Sequence, residues 1–337
     1  MQSPVRVLVL VLAWLFVACG QGDGGAAAGS GRAAQTAPAV SAPSAPAGSA
    51  SGAASASVTA SPSASALAES APTDRPQPFL WEAKKGATTS HLFGTMHLGT
   101  DAEKELHPMV FERLDAARVV VFEANAFDVD PFAAVNLAML KPGESVRDKL
   151  SPGRWQILVD RVGGILMPES TLERFKPWML VTLVLQDMLP KTEPMDLTLY
   201  ERAKEAKKEI VFLETLEEQV KMVDASMDTK LLDDTLGDLP AAEKMLLDLA
   251  TAYRGGDLDK LNALTFDPDE IKKHPAMFDT LLYERNRRWV PKISPLFQKG
   301  DVFVAVGAAH LLGDKSVVAL LTKQGYEIER VKKPVTR

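Results

Sequence analysis

The sequence predicts an α/β fold: a mainly parallel sheet built from strand-helix-strand units at both ends of the domain, with a large helical insertion between them. Two observations predict it. Short β-branched runs alternate with amphipathic stretches near residues 90–122 and again near 302–331, and the long stretch between them has mostly helical periodicity. No repeat of solenoid length interrupts this order.

Taken in order, Ser90-His91-Leu92-Phe93 is a short strand ending in Gly94. Leu106, Met109, Val110, Phe111 and Leu114 recur at helical spacing, which predicts an amphipathic helix over roughly 103–117. Val119-Val120-Val121-Phe122 has the length and composition of a buried strand and runs into Glu123. These three elements form a β-α-β unit, which implies a parallel pair with a right-handed crossover. From 131 to about 190 the pattern is helical, broken at Pro142-Gly143, Gly163-Gly164 and Pro190. A helix near 196–208 leads into a strand, Glu209 to Leu213, that ends at a second acid, Glu214. Residues 216–298 read as successive helices, with turns at Leu239-Pro240, Gly255-Gly256 and His274-Pro275. Val302–Val306, a helix over 314–323 and Tyr326–Val331 close the chain.

Composition limits the function. The 337 residues carry 38 Lys+Arg against 44 Asp+Glu, a net charge of −6, so there is no broad basic field and nucleic acid is not an expected partner. A single cysteine excludes an internal disulfide framework and any cysteine-rich zinc module.

Residues 1–19 read as an export signal. Arg6 supplies a positive start, and Val7 to Ala18 is an unbroken apolar run, too short to cross a hydrocarbon layer of roughly 30 Å. The only cysteine, Cys19, follows directly in L-F-V-A-C-G, which resembles a bacterial lipobox, although Phe16 is bulkier than usual there. Lipidation of Cys19 would tether the chain to a membrane; the alternative is an ordinary secretory signal with Cys19 incidental. Residues 20–78 are nearly all Ala, Ser, Gly, Pro and Thr and cannot bury enough surface to offset their ordering entropy. They form a linker with a reach of roughly 40–45 Å. Folding is expected from 79 to 335. The expected location is the bacterial cell envelope, and Gly20 after Cys19, in place of a retention acid, favours the outer membrane.

One short pattern occurs twice. L-F-G-T-M-H-L-G (92–99) and A-V-G-A-A-H-L-L-G (305–313) both read strand, then G-x-x-H-L, then a second Gly. Gly94 and Gly307 permit a positive φ or the close approach of another group, and His97 and His310 then lie beyond the carboxyl ends of their strands. Ligands bind along that edge in open parallel sheets. Glu123 has a similar address. Two imidazoles and a carboxylate at one point would suit Zn²⁺, Mn²⁺ or Co²⁺ and would lower the pKa of bound water toward ~7. Each residue also has an ordinary explanation: a hydrogen-bonded loop histidine, or a capping acid. His91, His107 and His274 sit in structural contexts.

These blocks together resemble the TraB/GumN family (TraB, PrgY, GumN), to which the Tiki metalloproteases are related. The likeness starts with F-L-W-E (79–82) and the first histidine motif. It continues through V-V-V-F-E-A-N (119–125), F-K-P-W (175–178), D-L-T-L-Y-E-R-A-K from Asp196, F-L-E-T-L-E-E-Q (212–219) and E-R-N-R-R-W (284–289). The second histidine motif and G-Y-E-I-E-R-V (325–331) complete it. One departure is Pro194, where the family has Gly two residues before the aspartate, which puts the local loop and a role for Asp196 in doubt. The resemblance implies metal-dependent peptide hydrolysis, with His97, His310 and Glu123 as metal ligands or, for Glu123, as the base.

In the family's R-N block, Arg285 either stacks on Trp289 one helical turn away or stabilises an oxyanion, and Asn286 would orient a ligand. Glu214 and Asp196 are candidates to support the site from behind, Trp178 reads as core, and Asn125 is undecided. The leading expectation is an envelope-anchored, metal-dependent hydrolase acting on a peptide or protein substrate. The alternative is a non-catalytic surface lipoprotein that binds a peptide, pheromone or heme-like ligand, since neither G-x-S-x-G nor H-E-x-x-H occurs.

Overall fold

The structure is a computed structural model that describes residues 75–97, 99–128, 130–162 and 168–332. The export segment with Cys19, most of the linker, Leu98 and the Gly163-Gly164 break lie outside the described residues. Six strands form one sheet: β1 (Leu80–Lys85), β2 (Thr88–Thr95), β3 (Val119–Ala124), β4 (Glu209–Glu214), β5 (Val302–Gly307) and β6 (Glu327–Arg330). Their spatial order is β4-β3-β5-β2-β1-β6. The block β4-β3-β5-β2 is wholly parallel, and β1 runs antiparallel to both β2 and β6. The expected α/β class with a mainly parallel sheet and a helical insertion is what the chain forms.

The central strands explain this order. Every residue of β3 (VVVFEA) and β5 (VFVAVG) is buried, as expected for parallel strands covered on both faces. β6 stands at an edge, and its alternate residues Glu327 and Glu329 are exposed charges that discourage further pairing. The parallel pair expected from the first β-α-β unit needs correction. β2 and β3 are parallel but not neighbours, because β5 inserts between them and hydrogen-bonds to both. β1 was not anticipated: its L-W-E-A-K-K sequence is short and half charged. It is fixed by a two-residue connection to β2 in which Gly86 takes φ +61°, and by pairing on both edges.

Of the helices, α1 (Met109–Ala116), α2 (Pro177–Asp187), α3 (Met195–Glu205), α4 (Leu216–Ser226), α5 (Leu239–Arg254), α6 (Glu284–Phe297) and α7 (Val317–Lys323) position the core and the site. The single helix expected over 103–117 is instead one turn, Ala102–Glu105, followed by α1. Pro108 is the reason: it disfavours helical geometry in the residue before it, and the chain is already extended at Leu106, with ψ 141°. In α2 every residue from Pro177 to Leu185 is buried, so this helix, with Trp178, is the centre of the insertion. Among the described residues no helix is long and apolar enough to cross a membrane.

A candidate active site at the carboxyl edge of the parallel strands

Because β2, β5, β3 and β4 are parallel, their carboxyl ends share one edge of the sheet. Thr95 pairs with Gly307 across β2 and β5, and Ala124 pairs with Glu214 across β3 and β4. The four strands therefore deliver His97, His310, Glu123 and Glu214 to one region. Glu123 lies inside β3 rather than beyond it, and Gly94 and Gly307 likewise lie within the ends of their strands, with no positive φ. Gly94 is needed for close approach: a Cβ there would lie 2.8 Å from both Cα and Cβ of Ala308, in the turn that carries His310. The positive φ falls on the second glycine of each motif, Gly99 at +71° and Gly313 at +76°.

Two groups of side chains form along this edge. In the first, the imidazole of His97 is held by Asp196, with Nδ1 2.5 Å from Oδ2, while Thr95 donates its hydroxyl to Oδ1 at 2.9 Å. Asp196 stands in the first turn of α3, where the helix dipole favours a carboxylate, and it is buried. Pro194 caps that helix with an extended backbone (ψ 128°), so the departure from the family pattern leaves Asp196 aimed at His97. A carboxylate on Nδ1 fixes the proton there and leaves the lone pair on Nε2.

The second group is centred on Arg285 of α6, which is fully buried, as is His310. Its guanidinium donates to Glu123 Oε2 at 2.5 Å and to Glu214 Oε1 at 2.6 Å, and its Nη1 lies 3.0 Å from His310 Nε2. A further N–H reaches the Leu281 carbonyl, which belongs to a π-helical segment, Asp279–Tyr283, directly before α6. The guanidinium also stacks on Trp289, 4.5 Å from the ring centroid, as the one-turn spacing suggested. His310 donates from Nδ1 to Asn286 Oδ1 at 2.7 Å, so its Nε2 is the acceptor for Arg285. Asn286 in turn donates to the Lys315 carbonyl, which locks its amide. Glu123 has a donor on each oxygen: Oε1 accepts the Gly307 N–H at 2.7 Å, and Oε2 also accepts from Gln219 at 3.2 Å.

The electrostatics follow from these contacts. Burial, then Arg285, then His97 drive the His310 pKa well below the usual imidazole value, so it is neutral. Burial raises the Glu214 carboxyl against the pull of Arg285, and Glu123 adds to the rise. Burial opposes the charge on Arg285, but Glu123 and Glu214 outweigh it and hold the guanidinium firmly protonated. A small cleft of about 20 Å³, room for about one water molecule, opens beside the two groups, lined by His97, Asp196, Glu123, Gln219, Phe122 and Phe127 among others. His97 lines it; His310 and Arg285 stand behind Glu123.

Thr95 and Gln219 were not singled out from the sequence, although both lie within motif blocks. The signal for Gln219 was the capping box Thr215/Glu218, which fixes the start of α4 and turns Gln219 toward the sheet edge. Asn125 turns back on its own loop, accepting from the N–H groups of Phe127 and Asp128. His107 accepts from the Met109 N–H, His91 lies in β2, and His274 sits at a break between short helices, all apart from the cleft.

The sequence model of the TraB/PrgY/gumN family matches residues 79–330. The chain belongs to this family. Metalloprotease TIKI1 of Danio rerio is 26% identical over 309 residues, covering 74% of this chain and 62% of TIKI1, so the chain spans less than two thirds of that relative. YbaP of Shigella flexneri is 27% identical over 247 residues, covering 70% of this chain and 89% of YbaP. Metalloprotease TIKI2 of Danio rerio is 24% identical over 315 residues, covering 74% of this chain and 60% of TIKI2. No solved structure matches.

A family with metalloprotease members raises the question of an ion at His97, His310 and Glu123. Among the described residues no three His, Cys, Asp or Glu side chains form a group that could hold one. The chemistry of the donor set gives the reason. The His310 Nε2 lone pair faces the Arg285 guanidinium, and each oxygen of Glu123 already accepts an N–H, Oε2 from that same guanidinium. As arranged, these three residues do not fit a shared ion.

Proposed function

We propose that the chain is a hydrolase of peptide bonds, tethered in the bacterial envelope through Cys19, with the cleft beside His97 as its active site. The names of the relatives TIKI1 and TIKI2 support the substrate class and bring in a divalent ion. The lipobox-like end of the signal and the linker support the tether. The observation that carries the reading is the Asp196–His97 pair lining a cleft at the carboxyl edge of the parallel strands.

The chain's own residues define the chemistry. With its proton on Nδ1 and directed at Asp196, His97 presents Nε2 as a base for a water molecule bound in the cleft. Asp196 steadies the imidazolium that forms, and Thr95 holds Asp196 in place. Gln219 uses one amide N–H on Glu123 and has a second available for a developing oxyanion. Arg285 supports this from behind by fixing Glu123.

The test is cleavage of a mixed peptide library by the full chain, read by mass spectrometry, with His97→Ala as the control. Defined products from the wild type that vanish with His97→Ala support the proposal. Absence of products across neutral pH with Zn²⁺, Mn²⁺ or Co²⁺ present, alongside saturable peptide binding, would make it a binding protein instead.

A further inference from the structure

The two G-x-x-H motifs are alike in sequence but not in what their imidazoles touch. His97 rests on an anion, Asp196; the Nε2 of His310 rests on a cation, Arg285. Three acceptors of metal-ligand type converge on one guanidinium: Glu123 Oε2 at 2.5 Å, Glu214 Oε1 at 2.6 Å and His310 Nε2 at 3.0 Å. Imidazole and carboxylate are side-chain types that divalent ions take as ligands, but as these three stand around the guanidinium they do not form a group that could hold an ion. A cation of charge +1 already occupies the centre of that set. It is sealed in by its stack on Trp289, by the Leu281 carbonyl and by complete burial.

We infer that Arg285 is the resident cation of this cluster, held by Glu123, Glu214 and His310, so that His310 is a positioning residue for Arg285 and not a metal ligand. The two motifs have diverged in role: the first serves the cleft, the second anchors an internal guanidinium. The positive charge is then covalently part of the chain, cannot be removed by a chelator, and excludes an ion from the same acceptors by occupancy and repulsion. Asn286 acts one step further back, fixing the His310 tautomer so that Nε2 remains an acceptor. The inference stands whether or not the chain cleaves peptides, because it concerns only what the cluster binds.

The test is equilibrium dialysis of the full chain against Zn²⁺ and, separately, Mn²⁺, followed by elemental analysis. Wild type and His310→Gln should take up the same amount of either ion, within threefold in affinity, whatever that amount is. Arg285→Gln opens the three acceptors and should bind Zn²⁺ at least tenfold more tightly than wild type. That gain should vanish in Arg285→Gln/His310→Gln and persist in Arg285→Gln/His97→Ala. Loss of ion from His310→Gln, or no gain in a folded Arg285→Gln protein, overturns the inference. If Arg285→Gln fails to fold, the wild type and His310→Gln comparison decides alone. Neither arm uses turnover, so failure here is distinct from failure of the hydrolase proposal.

Discussion

Replacing Arg285 with Met keeps much of the side-chain volume and removes the charge. It strips Glu123 and Glu214 of guanidinium contacts at 2.5 and 2.6 Å and takes the donor from His310. Removing one partner of a buried ion pair costs about 3–5 kcal/mol, because the remaining charge is left without compensation. Two carboxylates remain here, but the penalty has a limit. The Glu214 pKa is already raised by burial, and without Arg285 it rises further until the group takes up a proton. The folded variant then binds more protons than the unfolded chain at every pH between the ordinary carboxyl value and the raised one. In that window its stability rises on acidification by about 1.4 kcal/mol per pH unit. Urea unfolding of wild type and Arg285→Met at pH 8, 7 and 6 measures this. The expected deficit is about 3–5 kcal/mol at pH 8, a large share of the roughly 5–15 kcal/mol typical of a domain, and it should shrink toward pH 6. Adding Glu214→Gln should restore part of it at pH 8. A deficit under about 1 kcal/mol, or one that does not change with pH, would mean that Arg285 does not compensate the two buried carboxylates.

Three other outcomes are expected. Gly94→Ala places a methyl 2.8 Å from Ala308 and must part β2 from the turn that bears His310; overpacking of this kind costs roughly 1–3 kcal/mol, read as a lower thermal midpoint. Asp196→Asn leaves the fold intact but removes the anion that sets the His97 tautomer, so kcat on a cleaved peptide should fall by about 10²–10⁴ with little change in KM. Wild-type stability should decline as pH falls below about 6.5: His310 lies well below the usual imidazole value and His91 at about 4, chiefly through burial. Both are neutral when folded but take up protons when unfolded. His91 alone should account for roughly 2–3 kcal/mol between pH 6.5 and 4, after allowing for its partial exposure, measured by urea unfolding across that range.

The central strands β3 and β5 were legible in the sequence because continuous apolar runs such as Val119–Phe122 and Val302–Val306, rich in valine, have the length and composition of strands buried on both faces. Strand order was not legible. Nothing in the first β-α-β unit signals that a strand from the far end of the chain will insert between its two members, since that pairing is settled by tertiary packing. The histidine motifs pointed to the correct edge of the sheet because Gly94 must admit Ala308 and the parallel register aligns Thr95 with Gly307. Their chemistry was hidden. Two matching G-x-x-H-L patterns do not reveal that one ring meets an aspartate from α3 and the other an arginine from α6. Those partners lie far away in sequence, and only the fold supplies them. The stacking of Arg285 on Trp289 was legible because it is local, one helical turn apart.

The state of the His310 ring reports on the guanidinium-centred cluster without relying on turnover. In ¹⁵N-histidine-labelled full chain, the imidazole nitrogens of His310 should show a neutral ring at pH 7, with the proton on Nδ1 and an acceptor shift at Nε2, still unprotonated at pH 5.5. A His310 ring that titrates near pH 6.5, or carries its proton on Nε2, would contradict the guanidinium-centred cluster on which the account rests.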